Sequence, residues 1–162
     1  MASVPELVRL CPHTATRTFQ TEHPYLYLDL RAYAASFDDG DETLVYTLVD
    51  DGQVVGYVAI SDQEIWHPEL GRRRCFALPA MAVDDRYQHS NAALRLVVKA
   101  RRILDLRQAA HLQIDRSVRY DGIACVPWTD RLRLALERLG FEPMQGQIWW
   151  FRPWEPDEDD DP

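Results

Sequence analysis

Apolar and polar positions follow two rhythms along this chain. Residues 43–49 and 53–60, Thr-Leu-Val-Tyr-Thr-Leu-Val and Gln-Val-Val-Gly-Tyr-Val-Ala-Ile, are β-branched and aromatic-rich and predict two strands. Asp50, Asp51 and Gly52 between them predict a tight hairpin, with Gly52 supplying the positive φ such a turn demands. Further on, Ala93, Leu96, Val97, Ala100, Ile103 and Leu104 recur at helical spacing, in a stretch from Ala80 to Asp121 without glycine or proline. Ser90 or Asn91 can cap that helix. Residues 128–140 predict a second amphipathic helix, capped by Thr129 or Asp130 and closed by Gly140.

The remaining segments are shorter. Residues 5–10 read as a short strand, and Tyr25, Leu28, Ala32, Ala35 and Phe37 form a helical stripe over residues 24–37. Residues 61–74, with Pro68, Gly71 and three arginines at 72–74, read as a loop. Residues 75–83 are apolar enough for a buried central strand, with Pro79 marking a bulge or splay within it. Residues 122–126 and 147–152 predict further strands. Residues 111–115 fit either a continuation of the long helix or a strand.

Length and composition indicate one domain over residues 1–154, since 162 residues with 46 % apolar side chains can form a core unaided. Residues 155–162, Glu-Pro-Asp-Glu-Asp-Asp-Asp-Pro, read as a solvated acidic tail. No apolar run approaches the roughly 20 residues of a membrane span, and the first residues lack the apolar segment of a signal peptide, so a cytoplasmic location is expected. With 26 acidic against 18 basic residues the net charge is −8, which argues against nucleic acid as a partner. Cys11, Cys75 and Cys125 are too far apart for a disulfide framework, and the five histidines show no metal spacing, so no metal site is expected.

Candidate chemistry gathers at residues 83–93, where the apolar strand gives way to a capped helix. The first amides of a helix lack internal partners and stand at the positive end of its dipole, which suits a phosphate or pyrophosphate. Ser90, Ala92 and Ala93 are small enough to let a polyanion approach the main chain, Asn91 tolerates left-handed backbone, and Arg86 and Arg95 offer positive charge.

This segment resembles the acyl-coenzyme A loop of the GNAT superfamily of N-acyltransferases: Val83, Asp84 and Arg86 followed by Gln88-His89-Ser90-Asn91-Ala92-Ala93. The order of elements over residues 43–152 and the triplet Leu139-Gly140-Phe141 are similar to the family as well. Asn91 stands where the family prefers glycine. The resemblance implies an α/β (α+β) fold with a central mixed, mostly antiparallel sheet flanked by helices. It also implies acetyl-CoA or coenzyme A bound along Met81, Ala82, Val83, Gln88, His89, Ser90, Asn91, Ala92 and Ala93, with transfer of an acyl group to an amine. Homodimers are frequent in the family, and some members acylate aminoacyl-tRNA. The family's tyrosine acid falls on Leu136, and the strand at 75–83 holds no carboxylate to act as base. Glu64, Tyr120 and Cys125, with His111 and Asp115, are the substitutes the sequence offers. A GNAT-fold protein that binds partners without catalysis is the alternative, supported by Leu136, by Asn91 and by Trp128, Trp149, Trp150 and Trp154 near the C-terminus, which serve as core packing, acceptor pocket or partner surface.

Overall fold

A computed structural model describes residues 6–9, 19, 21, 44–90, 92–114 and 120–153. The short strand near the N-terminus is β1 (Glu6–Arg9), antiparallel to β2 (Leu44–Asp50). β2 turns into β3 (Gln53–His67) through Asp51 and Gly52, whose φ values of 50° and 73° give the two left-handed residues of a tight hairpin. Leu48 then faces Gly56 while Val49 faces Val54, leaving Val55 as an extra residue on β3. This bulge turns the Val55 carbonyl toward the amide of Asp84, 2.8 Å away.

Residues 61–74, expected to be a loop, instead complete a second hairpin. β3 runs on to His67, and β4 (Gly71–Leu78) returns beside it with Glu64 opposite Arg74 and Trp66 opposite Arg72. The polar side chains misled because this part of β3 is half-solvated: Ile65 is buried between exposed Glu64 and Trp66, the alternation of a strand with one wet face. Pro68, Glu69 and Leu70 form its turn, and Gly71, with φ 76°, opens β4.

β5 (Met81–Val83), a 3₁₀ segment (Asp85–Ser90), the long helix α1 (Ala92–Ile114), β6 (Gly122–Cys125), α2 (Asp130–Arg138), β7 (Glu142–Pro143) and β8 (Trp150–Pro153) follow. The open question at residues 111–115 resolves as helix up to Ile114. The helix expected over residues 24–37, Cys11, Asn91, Asp115 and the acidic tail lie outside the described residues. The strand order is β1-β2-β3-β4-β6-β8-β7, with β5 paired to β3 beside that path. Among the described strands only β4 and β6 run parallel, so the sheet is mixed and mostly antiparallel.

Both described helices pack on one face of this sheet. Leu96, Val97, Ala100 and Leu104 of α1 and Leu132 and Leu136 of α2 meet Val58, Phe76, Leu78, Met81 and Ile123 in one core cluster. Burying each of Leu96, Leu104 and Leu136 contributes about 2 kcal/mol. Phe19 covers the opposite face at Tyr57, with ring centroids 5.8 Å apart.

Candidate active site

A proline divides the central strand and opens the candidate site. Pro79 has no N–H for the ladder, and at this point the partners change: β4 lies between β3 and β6, whereas β5 pairs with β3 alone. β6 ends at Cys125, opposite Leu78, and the chain beyond it swings away. Two bonds hold that departure, from the Val126 amide to the Leu78 carbonyl at 3.4 Å and from Trp128 Nε1 to the Pro79 carbonyl at 2.9 Å. A cleft of about 220 Å³ opens along the side of β5 that β3 does not occupy.

Met81, Ala82, Val83 and Ala93 form one wall of this cleft, and α2 forms the other through Thr129, Leu132, Leu134 and Ala135, with Arg131 and Arg138 beside them. α2 stands there because Thr129, in extended conformation, accepts the Leu132 amide at its N-terminus, while its buried Leu132, Ala135 and Leu136 fix the helix on the sheet. The side of β5 that β3 leaves free thus faces a cleft that combines apolar side chains with Thr129, Arg131 and Arg138.

The first turn of α1 closes one end of the cleft through Ala93 and Leu94, and it carries no acidic residue to oppose an anion. Gln88, His89 and Ser90 lie in the 3₁₀ segment before it, and Ala92 opens the helix. Asp84 anchors this turn from inside the protein. Its carboxylate is fully buried and accepts from Arg86 Nε at 2.9 Å, Arg86 Nη2 at 2.8 Å and the Arg86 amide at 3.0 Å. Arg86, expected to add charge for a phosphate, is instead clamped on Asp84, which raises its pKa further. The positive side chains that line the cleft are Arg131 and Arg138 of α2, which only the tertiary packing brings beside residues 81–94.

The proton-transfer candidates lie elsewhere in the fold. Glu64 is solvent-exposed on the second half of β3, 3.9 Å from Arg72. Cys125 is fully buried in the helix-side core, and burial raises its thiol pKa, so it is protonated at neutral pH. His111 belongs to the last turn of α1. Leu136, at the position of the family's tyrosine, is likewise buried in the core.

Tyr120 precedes β6 at the end of the sheet remote from the cleft. Its hydroxyl donates to Asp62 at 2.7 Å, its amide to Gln108 at 2.9 Å, and Arg74 grips the same Asp62 at 2.7 Å. Burial first, then this bond to an ionised carboxylate, pushes its pKa up to about 12. A phenol is neutral below its pKa, so the raised value favours the folded state fully below its unfolded value of about 10, and that contribution disappears as pH climbs through about 12. The expected result is a tyrosinate absorbance component appearing near pH 12, absent from Tyr120→Phe; its appearance near pH 10 would show the ring to be neither buried nor bonded to Asp62.

No protein-family model and no curated protein sequence matches the chain. Its three-dimensional similarities are extensive. A tyrosine-to-phenylalanine variant of KacT superposes with TM-score 0.74 at 15 % identity, over 93 % of this chain and 95 % of that one. A tyrosine-to-phenylalanine variant of the AtaT toxin, bound to the C-terminus of the antitoxin AtaR and acetyl-CoA, gives 0.73 at 18 % identity over 93 % and 94 %. AtaT complexed with acetyl-methionyl-tRNAfMet gives 0.71 at 15 % identity over 93 % and 95 %. The chain has the GNAT fold. In this GNAT fold, the split at Pro79 and the long helix that follows it carry the candidate site.

The expectation against nucleic acid does not gain support from these neighbours, one of which holds a tRNA. It rested on net charge, and net charge hides a segregation within the GNAT domain. Helices α1 and α2 together carry eight basic against three acidic side chains, in a chain whose total is −8. The described helices include none long and apolar enough to cross a membrane.

Proposed function

We propose that this protein is an acyl-CoA-dependent N-acyltransferase that uses acetyl-CoA in the cytoplasm. The observation that carries the reading is the cleft between β5 and α2, which has unpaired backbone on one wall and the acid-free first turn of α1 at its end. Along Met81, Ala82 and Val83 an extended pantetheine chain finds amides and carbonyls to pair with, and one such amide polarises the thioester oxygen. The first turn of α1, with Arg131 and Arg138 across the cleft, receives the phosphates. The amine attacks the thioester carbon, the C–S bond breaks, the amine sheds a proton and the thiolate takes one up. Leu136 has no proton to give, so protonation of the thiolate falls to water or to the acceptor itself.

Acceptor choice follows from charge. The basic surplus of α1 and α2, with Arg131 and Arg138 at the cleft, supports a polyanionic acceptor, and aminoacyl-tRNA combines a reactive amine with such a body. The expected outcome is acetyl-CoA binding by calorimetry, followed by transfer of a radiolabelled acetyl group to an acceptor in a panel of charged tRNAs, polyamines and peptides. Absence of binding at millimolar acetyl-CoA would sink the reading. Binding without transfer to any acceptor would favour a GNAT-fold binding protein, the second reading that buried Leu136 supports.

A further inference from the structure

A second cavity lies between α1 and the far end of α2, and the proposed acyl transfer makes no use of it. Its floor is apolar and buried, formed by Leu78, Val97, Leu104, Ile123 and Phe141. Its volume of about 250 Å³ is many times the roughly 30 Å³ that one water occupies, and the floor offers water no polar partners. It sits just below the roughly 300–1,000 Å³ of sites for drug-sized ligands, which limits an occupant to a compact molecule.

The rim has the opposite character. Arg101 and Arg102 reach it from α1 and Arg152 from β8, beside half-exposed Val98. Arg101 Nε lies 3.0 Å from Asp105 and is charge-matched there. Arg102 and Arg152 have no ion-pair partner among the described residues, although the chain has a surplus of carboxylates. The arginines line the cavity mainly through their carbon stems, and two guanidinium groups without an ion pair among the described residues can swing over the mouth of an apolar hole, which suits an amphipathic anion.

We propose that this cavity binds a compact amphipathic acid, with a medium-chain acyl or small aryl body on the apolar floor and its carboxylate held by Arg102 and Arg152. The body gains by leaving water, and the planar guanidinium fork matches a carboxylate in shape and charge. The site is separate from the acyl cleft: Leu132, Ala135 and Arg138 of α2 line the cleft, whereas Leu139 and Phe141, past the end of that helix, line this cavity.

Calorimetric titration with octanoate, and with octan-1-ol as its neutral counterpart, tests the assignment. Octanoate should bind the wild-type protein more tightly than octanol does. The double variant Arg102→Gln/Arg152→Gln should weaken octanoate by roughly tenfold or more and leave octanol little changed. Val98→Trp, which plugs the mouth from an exposed position, should abolish both; circular dichroism establishes that each variant is folded. No octanoate binding at its solubility limit overturns the proposal, as does equal affinity in wild type and both variants. Displacement of octanoate by saturating acetyl-CoA also overturns it, by placing the acid in the acyl cleft. If acetyl-CoA does not bind at all, the acyltransferase reading falls and the octanoate result is unaffected.

Discussion

Ala93→Glu should abolish acetyl-CoA binding in a protein that remains folded. Ala93 lies in the first turn of α1 and lines the cleft with Met81, Ala82 and Val83. A glutamate there fills space that a ligand needs and places a carboxylate where the helix amides would otherwise receive phosphate, so repulsion and steric block act together. The same substitution is harmless to the helix, because a negative charge in its first turn interacts favourably with the dipole by about 0.3–1 kcal/mol. Affinity should therefore fall by roughly a hundredfold or more, about 3 kcal/mol, while the melting temperature holds or rises slightly. Ala93→Ser, small and neutral, should retain binding. Wild-type affinity in Ala93→Glu, measured by calorimetry, would mean that the phosphates are held elsewhere.

The largest expected loss of stability comes from Gly122→Ala. Gly122 opens β6 between Cys75 of β4 and Pro153 of β8, and a Cβ built there would stand 2.5 Å from Phe151 Cζ and 2.6 Å from the Arg152 carbonyl oxygen. Phe151 is buried and the carbonyl belongs to the neighbouring strand, so neither can retreat without separating β6 from β8. Overpacking of this kind costs about 3 kcal/mol, which for a domain of this size lowers the melting temperature by roughly 10 °C. An unchanged thermal unfolding midpoint in Gly122→Ala would contradict the pairing of Gly122 with Pro153.

Several of these features were legible before any coordinates. The helical stripe from Ala93 to Leu104 has a long enough period to exclude a strand, Asp51-Gly52 has turn chemistry that few other structures use, and Pro79 announces a break in any ladder it enters. The extension of β3 to His67 was not legible, because a hairpin with one solvated face draws its residues from the same polar alphabet as a loop. The cleft was half legible. Residues 81–93 are contiguous in the chain and stand out by their own chemistry, whereas Thr129, Arg131 and Arg138 reach the site only because α2 folds back over β5. Arg86 shows the converse limit: its charge is visible in the sequence, but its attachment to Asp84 depends on a buried carboxylate that burial alone reveals.

The break at Pro79 has one more consequence. Sheets ordinarily keep their unpaired edges at the periphery, where short strands, charges and bulges discourage other chains from adding on. Here the split leaves β5 as an edge strand in the interior of the sheet, and Met81, Ala82 and Val83 have no charge with which to defend it. α2 stands across the cleft from that edge and limits the approach of another strand to it. The backbone groups that the proposed ligand would use are therefore the same ones that an intruding strand would seek.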